Sequence, residues 1–199
     1  MKILFFSNNQ HKILEVKKLL SSMTIDILTL DEIGRQIVVE ETGANYLENA
    51  LLKARNASQL TGLPVLADDS GLEVDAIPDQ LGVFSARFGG LGLSDEEKNA
   101  LLLKKLEGVP IEKRTARFVS LVVFYNLDGK YYSFEGYLEG MIAESSKGQH
   151  GFGYDPVFYL PNLKCTVADL SQIDKNNISH RSIAFSKFKD WYLNVFTKK

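Results

Sequence analysis

The sequence predicts an α/β protein with a mixed central sheet and flanking helices, in a single domain covering residues 1–199. Three features carry that expectation. Lys2–Phe6 is a short apolar run that passes straight into a helical stripe, the strand-then-helix order of an α/β layer. A second helical stripe stops at Gly62, and the apolar run Pro64–Ala67 follows it. Further on, two long strand-like runs flank Asp128-Gly129, which reads as a hairpin.

Taken in order, Lys2–Phe6 is a buried first strand that runs into the polar Ser7-Asn8-Asn9. The helix after it places Ile13, Leu14, Val16, Leu19 and Leu20 on its apolar side, and Ile25–Leu30 is the next strand. After a polar passage, Asn45 to Thr61 forms a helix with the stripe Leu47, Ala50, Leu51, Ala54 and Leu60. Pro64–Ala67 is then a short strand that delivers Asp68-Asp69 at its end. Ser94-x-x-Glu97 has the form of a capping box ahead of Leu101, Leu102, Leu103 and Leu106. Arg117–Leu127 and Lys130–Ile142 pair as a long hairpin, with Asp128-Gly129 as a two-residue turn. Ser145 to Gly153 is a glycine-bearing loop. A final helix from about Ser179 carries Ile183, Phe188, Trp191, Tyr192 and Val195, a stripe spaced for core packing.

Composition narrows the function classes. Hydrophobic residues make up 45% and charged residues 24%, as in an ordinary soluble globular protein. A net charge of −2 argues against bulk electrostatic binding to nucleic acid or an anionic membrane. From Lys175 to Lys199 there are six Lys or Arg against one Asp, mostly the pattern of a solvated helix face. Cys165 is the only cysteine, so neither an intrachain disulfide nor a cysteine zinc site is expected; it reads as a small buried residue rather than a nucleophile. No apolar run approaches the about 18 residues of a membrane span, and no signal-peptide pattern opens the chain, so the expected location is cytoplasmic.

Several polar clusters point to chemistry. Ser7-Asn8-Asn9-Gln10-His11-Lys12 sits where a strand meets a helix, and the unpaired N–H groups of a helix start attract anions. Lys12 adds a full charge one turn in. The Gly-Lys-Ser/Thr ending of a P-loop is missing, and Gly89-Gly90-Leu91-Gly92 follows no clear strand, so neither common nucleotide fingerprint is present. Asp68-Asp69 supplies the hard oxygens that Mg²⁺ prefers, and few protein ligands suffice when phosphates provide the rest. Successive strand residues point to opposite faces, so the two acids divide: one is expected to face the ligand while the other braces the turn. Glu40-Glu41 is a second acidic pair on another loop, and Lys53 is a candidate phosphate contact.

Gly151-Phe-Gly-Tyr-Asp-Pro156 places two rings and a carboxylate in a glycine loop. Phe152 or Tyr154 can stack on a planar base. An ionised Asp155 accepts hydrogen bonds and cannot donate, which suits the N1–H of a 6-oxo purine and not the bare N1 of adenine. His180 or Arg181 can donate to the 6-oxo oxygen.

Together with Glu41-Thr42-Gly43, Glu48-Asn49-Ala50-x-x-Lys53-Ala54, Ala67-Asp68-Asp69-Ser70-Gly71, Ser85-Ala86-Arg87-Phe88 and Ser179-His180-Arg181, these clusters stand in the order of a known family. The chain resembles the inosine triphosphate pyrophosphatases, also called XTP/dITP pyrophosphatases, over nearly its whole length. That resemblance implies a Mg²⁺-dependent enzyme cleaving dITP, ITP and XTP to the monophosphate and pyrophosphate. It implies an elongated, two-lobed homodimer subunit with a cleft between the lobes. It also implies that Ser7 to Lys12 and Lys53 hold phosphates, and that Asp69 is proton acceptor and metal ligand with Glu40 or Glu41 nearby. Ser70, Phe152, Gly153, Tyr154, Asp155, Lys175, His180 and Arg181 would bind the nucleotide. Ser7 stands where Thr is common and Leu81 where a proline is usual; neither change removes a charged group.

Overall fold

A computed structural model of the chain describes residues 1–196. Lys198 and Lys199, part of the basic C-terminal stretch, lie outside the described residues. The described residues form five α-helices, three short 3-10 helices and one seven-stranded sheet, the sheet running β2-β1-β3-β4-β5-β6-β7. The strands are β1 Lys2–Phe6, β2 Asp26–Leu28, β3 Val65–Val74, β4 Thr115–Tyr125, β5 Tyr131–Ile142, β6 Phe158–Leu160 and β7 Cys165–Thr166. The helices are α1 Gln10–Leu20, α2 Tyr46–Thr61, α3 Asp95–Lys105, α4 Gln172–Ile178 and α5 His180–Phe196. Strands β2 and β3 pair parallel to β1, whereas β6 is antiparallel to β5 and β7, so the sheet is mixed. The chain divides into two compact units: Met1–Asp69, Ser120–Gly136 and Arg181–Lys199 form the first, Ser70–Val119 and Tyr137–His180 the second.

The first unit is built by the pleat of its strands. Ile3 and Phe5 of β1, with Leu66 of β3, pack against Ile13, Val16 and Leu20 of α1 and Ala184, Phe185 and Phe188 of α5. Leu4 and Phe6, with Val65 and Ala67, pack instead against Ala50, Ala54 and Ala57 of α2. Alternate residues of one strand therefore serve opposite helical layers, which is why β1 reads as continuous apolar sequence. The second unit has one core, in which Leu72 and Val74 meet Leu102 of α3, Leu106 just past its end, and Val157, Phe158 and Leu160.

The first correction is β3, which does not stop before the acid pair but continues through Asp68-Asp69-Ser70-Gly71 to Val74. Gly71 makes this possible: a Cβ there would run into the carbonyl oxygen of Gly82 and the hydroxyl of Ser85. Ser85 binds both backbone groups of Leu72, at 2.9 and 3.2 Å. Leu14, Leu60 and Val195 are exposed rather than packed, at 66, 57 and 46%. In α1 the buried position is taken by Glu15, at 6% exposure. Strand β2 is three residues, shorter than Ile25–Leu30. The hairpin turn is also longer than two residues. Asn126 N–H bonds Lys130 O at 2.9 Å and Gly129 N–H bonds Asn126 O at 3.0 Å, a type I turn followed by a left-handed glycine. Cys165 is half-buried on β7, and burial together with Asp169 pushes its thiol pKa up, against a nucleophilic role.

Candidate functional site

The polar residues singled out in the sequence fall into two sets, one in each unit. In the first unit Asn9 caps α1, its side-chain oxygen accepting from Lys12 N–H at 3.2 Å, while Asn9 N–H bonds Ser7 Oγ at 3.2 Å. Asn8, Asn9, Gln10 and His11 are exposed, and Gln10 reaches Asp31 at 3.3 Å. Lys12 turns back to the sheet and donates to Asp68 Oδ2 at 2.9 Å.

Because β3 stays regular, its pleat parts the two acids. Asp68 shares the face of Leu66, toward α1 and α5. There it meets Lys12 and, at 3.6 Å, Arg181 Nε. Arg181, 2% exposed, also forms an ion pair with Glu15. Asp69 shares the face of Ala67, toward α2, where Lys53 Nζ lies 3.2 Å from Oδ1 and Asn49 Nδ2 donates to Oδ2 at 3.2 Å. Lys53 reaches Glu41 as well, at 2.8 Å, so one ammonium bridges carboxylates from a strand and a loop. Of the Glu40-Glu41 pair it is thus Glu41 that meets Lys53; Glu40 is exposed.

The charges differ accordingly. Burial opposes ionisation of Asp68, yet Lys12, Arg181 and Lys53 outweigh it and hold the carboxyl well below the usual range. Asp69 goes the other way: burial, reinforced by Glu41, raises its pKa despite Lys53 and Lys12. Lys53 is raised because Asp69, Asp68 and Glu41 overcome its burial, whereas burial, helped by Arg181 and Lys53, lowers Lys12. Asp68 is therefore the fixed counter-ion and Asp69 the carboxylate closer to taking a proton.

The second unit holds the loop Gly151–Pro156. Asp155, 3% exposed, accepts at Oδ2 from Phe152 N–H at 2.9 Å and from Lys175 Nζ at 2.6 Å. Gly151 has φ +79°, and a Cβ there would strike that same carboxylate oxygen, so the loop closes only around glycine. Lys175, 4% exposed, also lies 4.4 Å over the Phe152 ring. Tyr154 resolves an open choice: its ring is in the core and its hydroxyl donates to Ser85 O at 2.7 Å, leaving Phe152 as the half-buried ring. His180 is buried against Phe118, ring centroids 4.9 Å apart and nearly parallel. Lys175→Met is expected to destabilise the fold by about 3 kcal/mol, since it removes one half of a buried ion pair. Urea unfolding checks this; a midpoint equal to wild type would show that the pair is dispensable.

Arg181 and Lys53 differ from expectation in their partners. Arg181 pairs with Glu15 and Asp68 within the first unit, and Lys175 pairs with Asp155 and covers the Phe152 ring within the second. Asn49 stands out in the sequence only as part of Glu48-Asn49-Ala50. It is fully buried, accepts from Gly43 N–H at 2.8 Å and donates to Asp69, tying the Glu41-Thr42-Gly43 loop to the acid. Glu15 also went unassigned. Its only signal was a charge three residues after Lys12 on an otherwise apolar face.

Fold and charge set together define an α/β protein with lysine–carboxylate contacts on both faces of one strand, beside the start of α1. The chain belongs to the Ham1 family, which it matches over residues 3–191. It is 43% identical over 199 residues to the dITP/XTP pyrophosphatase of Dictyoglomus thermophilum, covering 98% of this chain and 96% of that protein. The dITP/XTP pyrophosphatase of Geobacter sulfurreducens is 43% identical over 189 residues, 95% of each chain. Among solved structures, a HAM1 protein from Coxiella burnetii superposes with TM-score 0.89 at 36% identity, covering 98% of this chain and all of that one. The Staphylococcus aureus Ham1 protein gives 0.87 at 37% identity, covering 98% and 99%. The resemblance carried by the sequence motifs therefore holds over nearly the whole chain.

Proposed function

We propose that this chain hydrolyses purine nucleoside triphosphates carrying a 6-oxo base, dITP, ITP and XTP, to the monophosphate and pyrophosphate. Such bases arise by deamination, so the activity clears damaged purines from the nucleotide pool. The observation that carries this reading is the centre at Asp69. A buried carboxylate of raised pKa stands beside Glu41 and Lys53, on a chain 43% identical to proteins named for dITP and XTP.

In this reading the α1 start and Lys12, with Lys53, take the outer phosphates, which makes pyrophosphate the leaving group. Asp69 accepts the proton of the water that attacks the α-phosphorus. Asp68, locked to Lys12, holds that lysine toward the triphosphate. Phosphoryl transfer depends chiefly on position and charge, so no serine or cysteine nucleophile is needed.

The donor set suits Mg²⁺. Lys53 already acts as a cation shared by Asp69 and Glu41, and among the described residues no larger cluster of His, Cys, Asp or Glu is arranged for an ion. A divalent ion would be held by Asp69 and Glu41, with Glu40 adjacent, and take its other ligands from phosphate and water. When bound it would neutralise phosphate charge and acidify water.

The base is read by the second unit. Phe152 offers a face for stacking, and Lys175, which only donates, favours a 6-oxo oxygen and repels the 6-amino group of adenine. Asp155 fixes Lys175 and offers a carboxylate toward N1–H; Ser70, Gly153, Tyr154, His180 and Arg181 complete the proposed nucleotide-binding set. The family resemblance supports a homodimer and a cytoplasmic setting; no described helix is long and apolar enough to cross a membrane.

Steady-state rates across ITP, dITP, XTP, GTP, ATP and CTP, with and without Mg²⁺, test the reading. Fast Mg²⁺-dependent turnover of the first three is expected. Equal rates on ATP, or on ITP without Mg²⁺, would contradict it.

A further inference from the structure

The loop Gly151–Pro156 is gripped from outside by α3. Asp95 Oδ2 accepts from Gly153 N–H at 2.7 Å, and Asn99 Nδ2 donates to Gly153 O at 2.9 Å. The two side chains lie one turn apart on one face of the helix, so a single rigid element takes both backbone groups of one loop residue. Gly153 has φ +63°, the left-handed conformation that lets its two groups present themselves this way.

The helix is itself firmly placed. Its start is a full capping box, Ser94 N–H to Glu97 at 2.7 Å and Glu97 N–H to Ser94 at 3.1 Å. Leu102 and Leu106, both fully buried, fix the other end in the second core. Asn99 is a poor choice for packing alone. It is 3% exposed, and its Oδ1 is buried with no hydrogen-bond partner among the described residues, an arrangement that costs stability. What Asn99 provides is a donor aimed at the loop.

We propose that Asp95 and Asn99 are positioning residues for base selection: through Gly153, α3 sets the height and tilt of the adjoining Phe152 ring. The inference rests on the Phe152–Asp155 loop being the base-holding element. Losing the grip leaves Asp155 with Phe152 N–H and Lys175, and Tyr154 anchored in the core at Ser85, but frees the Phe152–Gly153 part of the loop to shift. Discrimination between bases, which depends on position, should then suffer more than turnover.

The test compares kcat and KM for ITP and ATP in wild type, Asn99→Ala, the double variant Asp95→Ala/Asn99→Ala, and Asp95→Asn. Asn99→Ala is expected to lower kcat/KM for ITP about tenfold, mostly through KM, and to narrow the ITP-to-ATP ratio by a similar factor. The double variant should narrow it further. Asp95→Asn, which keeps an oxygen for Gly153 N–H, should retain the wild-type ratio. A folded Asn99→Ala enzyme with an unchanged ratio, or with ITP and ATP falling equally, would overturn the grip while leaving the base reading intact. No ITP preference in wild type would overturn both. If the double variant fails to fold, Asn99→Ala, which leaves the Asp95 bond in place, decides the matter.

Discussion

Asp69→Asn should lower kcat for ITP about a thousandfold while the protein stays folded and binds nucleotide with near wild-type affinity. An amide oxygen neither takes a proton usefully nor replaces a carboxylate for a hard divalent ion. The neighbours survive the change. Asn49 still finds an oxygen at position 69, and Lys53 keeps Glu41 at 2.8 Å, so no buried charge is stranded. Single-turnover hydrolysis alongside equilibrium nucleotide binding separates the two effects. A folded Asp69→Asn enzyme turning over ITP at the wild-type rate would remove Asp69 from the mechanism.

Lys53→Met should be nearly as severe, for a different reason. Lys53 is 7% exposed and bridges Asp69 and Glu41, so its loss strands two carboxylates, one of them buried. The expected cost is about 3 kcal/mol in stability without divalent ion, because uncompensated buried charge is expensive. Activity should fall about a hundredfold or more through lost phosphate contact. Mg²⁺ should restore part of the stability, raising the unfolding midpoint of Lys53→Met by more than that of wild type. Equal midpoints in the absence of Mg²⁺, or indifference of the variant to Mg²⁺, would contradict a cation-binding centre at Asp69 and Glu41.

Much of this was legible in the sequence where a local rule applied. The helix stop at Gly62 and the box Ser94-x-x-Glu97 rest on contacts within a few residues, the run Lys2–Phe6 on its unbroken apolar character, and each stands in the structure. What escaped depends on distant partners. As sequence, the apolar run ends at Ala67, which predicts a strand Pro64–Ala67 with Asp68-Asp69 at its end. Strand β3 continues because Lys12 and Arg181 on one face and Lys53 on the other neutralise those acids, and Gly71 admits the Gly82 backbone. The ion pair of Arg181 with Glu15, 166 residues away in the chain, is likewise invisible to local sequence. Tyr154 and Phe152 were equivalent as sequence; only packing separates a core tyrosine from a half-buried ring. The short strands β6 and β7 and helix α4 went unread, since two- to seven-residue elements carry too little periodicity to show.

The central claim is that water attacks the α-phosphorus and pyrophosphate leaves. Hydrolysis of ITP in ¹⁸O-labelled water, with mass analysis of both products, tests it most directly. The account predicts label in the monophosphate and none in pyrophosphate. Label in pyrophosphate, or orthophosphate as the first product, would place attack at another phosphorus and contradict it.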